Sequence, residues 1–111
     1  MSVPKKMIDD VAVLQPGGKL MGGPETTAIH DAVKELVEGG VSKVVLDMSK
    51  VKWLNSVGLG TIMAARTTLS NADGELKLAG LQDKARGLFA ISKLDTLFKN
   101  YSTPERAAAD F

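Results

Sequence analysis

The sequence of 111 residues contains no cysteine and one histidine. The absence of cysteine excludes a disulfide scaffold, thiolate ligands for zinc and a cysteine nucleophile. The single histidine, His30, offers no selective Ser-His-Asp arrangement, and a metal site would have to be built from carboxylates alone. The pair Asp9-Asp10 is too local for such a site. We therefore predict a protein without catalytic residues, a metal or a cofactor, which is a binding protein and not an enzyme.

Long runs of basic or apolar residues are also lacking. The chain has 14 basic and 13 acidic residues and a formal net charge of +1. Duplex-binding surfaces usually show a basic stripe, so direct nucleic-acid binding is disfavoured. No window approaches the ~20 apolar residues of a transmembrane helix, and the N-terminus has no apolar stretch typical of a secretory signal. We expect a cytoplasmic protein without a membrane segment.

Strand and helix patterns alternate along the chain. Strands are predicted at residues 7–14, 19–21, 44–46, 75–78 and 97–101, with 51–54 also extended, and helices begin near 24, 55, 82 and 104. The first two strands are expected to pair as a hairpin, and the apolar run 44–46 is typical of a central parallel strand. The order β-β-α-β-α-β-α-β-α predicts one α/β domain over residues 1–111. Its sheet should be mostly parallel, with four to five strands, an N-terminal antiparallel hairpin and about four helices.

The segment Trp53-Leu54-Asn55-Ser56-Val57-Gly58-Leu59-Gly60 lies where a strand passes into a helix. Sites of open α/β sheets favour the carboxyl ends of strands. Two glycines in the first helical turns cost ~1 kcal/mol each relative to alanine, so a neighbouring backbone or a partner surface should need the missing side chains. Either Asn55 or Ser56 is expected to cap the helix. Ser56 is a candidate phosphorylation site, although capping alone is the simpler interpretation from the residues.

Two further features allow more than one interpretation. The glycines at positions 17, 18, 22 and 23 suggest a phosphate-binding loop, but their spacing matches neither the dinucleotide nor the P-loop pattern. Trp53 is either a partner anchor or a packed residue at a strand end. A small α/β enzyme is disfavoured because no acid–base cluster is apparent.

Three segments carry a family resemblance: Leu46-Asp47-Met48-Ser49 followed by Leu54-Asn55-Ser56-Val57-Gly58-Leu59-Gly60, then Gly18-Lys19-Leu20, and finally the helical segment 84–94. They resemble the motifs of the STAS domain family, of the anti-sigma factor antagonist type, and span nearly the whole chain. The resemblance implies a STAS-like fold and a protein that binds an anti-sigma factor, itself a serine kinase, and thereby releases a sigma factor. It also implies that phosphorylation of Ser56 breaks the complex and that a serine phosphatase restores it.

The partner-binding residues implied by the resemblance are Met21, Gly22, Asn55, Ser56, Val57, Gly58 and Gly60. Three of them depart from the family pattern, since Asn55 and Met21 each replace an aspartate and Val57 replaces a serine or threonine. These departures remove two carboxylates and one hydroxyl from the site. They leave open an alternative: a divergent STAS scaffold or ligand-binding module, part of a signalling complex, that works without phosphorylation.

Overall fold

A computed structural model of the protein describes residues 3–111. Over this range the chain forms seven strands and four helices in the order β1 (Lys5–Ile8), β2 (Val11–Leu14), β3 (Gly18–Leu20), α1 (Pro24–Glu38), β4 (Lys43–Asp47), β5 (Val51–Leu54), α2 (Ser56–Asn71), β6 (Glu75–Ala79), α3 (Asp83–Ile91), β7 (Asn100–Tyr101) and α4 (Pro104–Ala109). None of the helices in this range has the length and apolar character needed to cross a membrane.

The main sheet has five strands in the order β1-β2-β4-β6-β7. Strand β1 pairs with β2 in the antiparallel sense, and the other three pairings are parallel. The predicted fold class is therefore confirmed: an α/β domain with a mostly parallel sheet, an N-terminal antiparallel hairpin and four helices. Strands β3 and β5 form a separate, parallel two-stranded sheet.

The prediction was wrong about which strands form the hairpin. The single strand expected at residues 7–14 is divided at Asp9, which has a positive φ of 55°. Aspartate tolerates this left-handed conformation better than most residues, so the Asp9-Asp10 pair makes the turn between β1 and β2. The segment expected to complete the hairpin, 19–21, pairs with β5 instead. The last strand is also shorter than predicted, covering Asn100–Tyr101 and not residues 97–101.

The larger hydrophobic core lies between the main sheet and helices α1, α2 and α3. A smaller apolar cluster on the other face of the sheet is closed by α4 through Ala107. Strands β2 and β4 are consequently covered on both faces. This explains why their sequences contain consecutive apolar residues and do not alternate with polar ones. The same arrangement places the ends of these central strands at one edge, where β3 and β5 follow them.

The sequence of β6 alternates polar and apolar residues over Glu75-Leu76-Lys77-Leu78, a pattern typical of a strand with one solvent-facing side, yet only its first residue is exposed. Lys77 is 1% exposed, and its ammonium donates a hydrogen bond to the backbone carbonyl of Asp110. The same ammonium lies 4.2 Å from the centroid of the Phe111 ring. The C-terminal segment thus satisfies a lysine that would otherwise be buried without a partner.

Tyr101 and Asp110 form a second polar contact in the same region. The Tyr101 hydroxyl donates a hydrogen bond to the Asp110 carboxylate. This bond raises the pKa of Tyr101 to about 12 and, together with the charge of Lys77, holds the pKa of Asp110 below its ordinary value. The contact joins β7 to the end of α4.

Candidate functional site

The candidate site lies where β3 and β5 end and their loops lead into α1 and α2. Leu20 is paired with Leu54 in the register of the small parallel sheet. Both loops therefore leave the sheet side by side, one towards Pro24 and the other towards Ser56. The site predicted from two distant parts of the sequence is assembled by this one strand pairing.

Asn55 is the N-cap of α2 and connects the two loops. Its side-chain oxygen Oδ1 accepts a hydrogen bond from the Gly58 N–H at 3.0 Å, and its Nδ2 donates to the Met21 carbonyl oxygen at 3.4 Å. An ionised aspartate could accept the first bond but could not donate the second. The departure from the family aspartate therefore has a structural reason, since the amide serves as both acceptor and donor here.

Ser56 is the first residue of α2, and its side chain is exposed. Because Asn55 provides the cap, the Ser56 hydroxyl is not used for that purpose. The position also lies at the positive end of a sixteen-residue helix, where the first backbone N–H groups lack helical partners. The hydroxyl is accessible and stands in an environment that favours negative charge.

The two glycines near the start of α2, Gly58 and Gly60, have different surroundings. A Cβ atom on Gly58 would lie 2.0 Å from the Leu20 carbonyl oxygen and 2.9 Å from Leu54 Cδ1. The first strand–helix loop can approach α2 only because this side chain is missing. A Cβ atom on Gly60 would meet nothing within 4 Å, and this residue is exposed. Close approach of a neighbouring backbone thus explains Gly58 but not Gly60.

The remaining predicted residues lie on the same surface. Met21 is 47% exposed and Val57 is 56% exposed, so both apolar side chains are open to a partner. Gly22 has a φ of +105°, and a Cβ atom on it would lie 3.2 Å from Val57 Cγ1. The structure therefore brings all seven predicted residues together at one edge of the domain.

Trp53 and Lys84 extend this surface beyond the predicted residues. Trp53 is 48% exposed, and the Lys84 Nζ lies 4.5 Å from the centroid of its ring. A lysine above an aromatic face makes a cation–π contact. Nothing in the spacing of the sequence indicated that Lys84, at the start of α3, would reach β5. For this reason the site residues predicted from the sequence did not include Lys84.

Asp47, the second residue of the motif Leu46-Asp47-Met48-Ser49, forms hydrogen bonds with two loops. Its carboxylate is 4% exposed and accepts hydrogen bonds from Gln15 Nε2 at 2.8 Å and from the Ser49 N–H at 3.0 Å. Both of its oxygens are engaged, one with the loop after β2 and one with the loop after β4. Asp47 is thus a structural residue. It fixes the loop that precedes β3, through Gln15, and the loop that precedes β5, through Ser49.

No group of three or more potential metal ligands occurs within residues 3–111. The site consists instead of an exposed hydroxyl, half-exposed apolar side chains and a lysine. Such a surface is suited to contact with another macromolecule.

The chain is similar to proteins of one family. The family model described as STAS domain matches residues 2–107. An inferred anti-sigma factor antagonist of Thermotoga maritima is 27% identical over 104 residues, which cover 94% of this chain and 92% of that protein. The inferred anti-sigma factor antagonist BtrV of Bordetella bronchiseptica is 33% identical over 75 residues, covering 68% of this chain and 65% of that protein.

A solved structure gives the same picture. The crystal structure of an inferred anti-sigma factor antagonist from Thermotoga maritima superimposes with a TM-score of 0.87 and 26% sequence identity. The similarity covers 97% of this chain and 92% of that chain.

Proposed function

The chain belongs to the STAS domain family, and from this premise we propose that it is an anti-sigma factor antagonist of the cytoplasm. It binds an anti-sigma factor of the serine kinase type and thereby releases a sigma factor. It acts by binding and not by catalysis. The names of the relatives and the near-complete coverage of the chain support this role.

The regulated element is the Ser56 hydroxyl, which the kinase phosphorylates and a serine phosphatase restores. The observation that carries this proposal is the exposure of Ser56 at the first turn of α2, with capping left to Asn55. A kinase needs an accessible hydroxyl, and this one can be modified without breaking a cap.

The physical effect of the phosphate differs between the free and the bound protein. A phosphate adds about 1.5 to 2 negative charges. At a helix N-terminus those charges are stabilised by the dipole and by the unpaired N–H groups, so the free domain keeps its fold. A partner packed against Met21 and Val57 would have to desolvate the phosphate, which is costly without a compensating cation. Binding is lost while the domain stays folded.

The proposal is tested by incubating the protein with the anti-sigma factor kinases of its own genome and ATP, followed by intact-mass measurement. We expect one added phosphate on the wild type and none on Ser56→Ala. A wild type that gains no phosphate, or a variant labelled to the same extent, contradicts the switch.

The departures at Asn55, Val57 and Met21 favour a second candidate, a STAS scaffold or ligand-binding module without phosphorylation. The two candidates differ in the effect of Ser56→Asp on partner affinity. The switch requires a large loss, whereas the scaffold requires almost no change. Ser70→Asp is the matched control, because Ser70 is exposed near the other end of α2, about 21 Å away at 1.5 Å per residue. It should leave the affinity unchanged in both cases.

A further inference from the structure

The outward side of the small β3–β5 sheet carries exposed basic and apolar side chains. We define the basic-apolar face as Lys19, Met21, Trp53, Val57 and Lys84. Lys19 is paired with Trp53 across the two strands, and Met21 is the exposed residue that follows the end of β3. Leu20, between them, is fully buried. This face borders Ser56 on the side away from the core.

Lysines define the charge of this face. The Lys84 Nζ lies above the Trp53 ring, and Lys19 is exposed beside it. The ion pairs formed within residues 3–111 lie elsewhere, at Lys6–Glu105, Lys43–Asp10 and Lys77–Asp110. Where the family resemblance would place two carboxylates, this chain has Asn55 and Met21.

Two acidic residues near this face lie at helix starts. Glu25 lies in the first turn of α1 and Asp83 in the first turn of α3. Negative side chains at these positions are matched to the positive ends of their own helices. They therefore oppose the lysines less than free carboxylates would.

We infer that the partner presents an apolar pocket for Trp53, with Met21 and Val57 at its border, and carboxylates opposite Lys19 and Lys84. This inference rests on the proposed function, since it describes the surface of the anti-sigma factor that meets Ser56. A half-exposed tryptophan is a typical anchor in protein interfaces, and charges at the rim favour partners of opposite sign.

The same face explains how phosphorylation acts on this particular chain. A phosphate on Ser56 would place negative charge at the border of the basic-apolar face, opposite the carboxylates of the partner. Like charges across an interface are unfavourable and are a common means of rejecting a partner. The two departures that remove carboxylates thus make the unmodified face a better match for an acidic partner and sharpen the contrast on modification.

An anionic membrane is the other surface that attracts lysine and tryptophan. Lipid recognition by basic residues usually involves clusters of about 4–8 lysines or arginines, or an amphipathic helix lying in the interface. The basic-apolar face has two lysines, and its five residues come from two short strands, one loop and the first turns of two helices. The charges therefore favour a protein partner.

The test measures dissociation constants for purified kinase-type anti-sigma factors of the same genome at low and high salt. Lys19→Glu and Lys84→Glu should each weaken binding about tenfold at low salt, and the difference should shrink at high salt because exposed charges are screened. Trp53→Ala should weaken binding about tenfold or more at both salt concentrations. Lys34→Glu is the matched control. Lys34 is exposed ten residues into α1, roughly 15 Å from the loop that precedes this helix, so reversing its charge should leave the dissociation constant unchanged.

Each outcome has a distinct meaning once thermal melts show that the variants are folded. Losses at Lys19, Lys84 and Trp53 with an inert Lys34 support the inference. Tight binding by all variants overturns the inference and leaves the proposed function standing. Failure of every anti-sigma factor to bind the wild type overturns the proposed function and the inference with it. Sedimentation of the wild type, but not of Lys84→Glu, with phosphatidylserine vesicles identifies a membrane as the target and also overturns the inference.

Discussion

Gly58→Ala gives the most demanding test of how the two loops are held together. Alanine is favoured over glycine in a helix by ~1 kcal/mol, so propensity alone predicts a more stable protein. The structure predicts the opposite, because the new Cβ would lie 2.0 Å from the Leu20 carbonyl oxygen. Ordinary carbon–oxygen contacts are about 3.3 Å or longer, so β3 or α2 must move by about 1 Å.

The movement is expensive because Leu20 is fully buried in the core and β3 is paired with β5. Overpacking of this kind costs about 1–3 kcal/mol, and here it involves backbone, which yields less readily than a side chain. After the gain in propensity we expect a net loss of about 2 kcal/mol in the free energy of unfolding. For a domain of this size that corresponds to a fall of roughly 8 °C in Tm.

Urea denaturation monitored by circular dichroism measures this difference as a lower midpoint with an unchanged slope. Gly60→Ala is the matched control on the same helix, since its Cβ would meet nothing within 4 Å. This control should gain up to ~1 kcal/mol. If Gly58→Ala were as stable as Gly60→Ala, the close approach of Leu20 would not be the reason for the glycine, and the reasoning would fail.

Three other substitutions test the contacts around the fold. Asn55→Ala should cost about 1 kcal/mol through loss of the cap, and Asn55→Asp should recover most of that loss in urea denaturation because the acceptor for the Gly58 N–H returns. Lys77→Met should stay close to wild-type stability because it keeps the buried stem, whereas Lys77→Ala should lose about 2–4 kcal/mol through the cavity it leaves, as thermal melts would show. The raised pKa of Tyr101 stabilises the fold fully below pH 10, and this contribution should disappear as the pH rises from 10 through about 12. The wild type should therefore lose stability across that window, and Tyr101→Phe should lose less; absorbance of the ionised phenol gives the folded pKa directly.

The sequence indicated the element types well because local patterns determine them, whereas the site residues came from the family resemblance and stay a prediction. The apolar run in β4 and the cap before α2 are local signals, and they were interpreted correctly. Of the two glycines after the cap, only Gly58 has the close backbone neighbour that was expected. The hairpin was misplaced because the two-residue turn Asp9-Asp10 was included in one strand, and the positive φ at Asp9 shows where the chain turns back.

The missing features depend on contacts between distant segments. Lys77 looked like an outward-facing strand residue, yet the C-terminal segment closes over it. Lys84 reaches Trp53 only because α3 is folded back beside β5. The pairing of β3 with β5 joins segments separated by a complete helix and strand, and no local pattern specifies it.

The affinity of the unmodified and the Ser56-phosphorylated protein for the same anti-sigma factor is the most direct measurement of the central claim. Both forms can be prepared from one batch, checked by intact mass and titrated calorimetrically. We predict that the phosphorylated form binds at least about tenfold more weakly, a difference of ~1.4 kcal/mol or more, while its thermal melt stays close to that of the unmodified form. Equal affinities of the two folded forms would contradict the account.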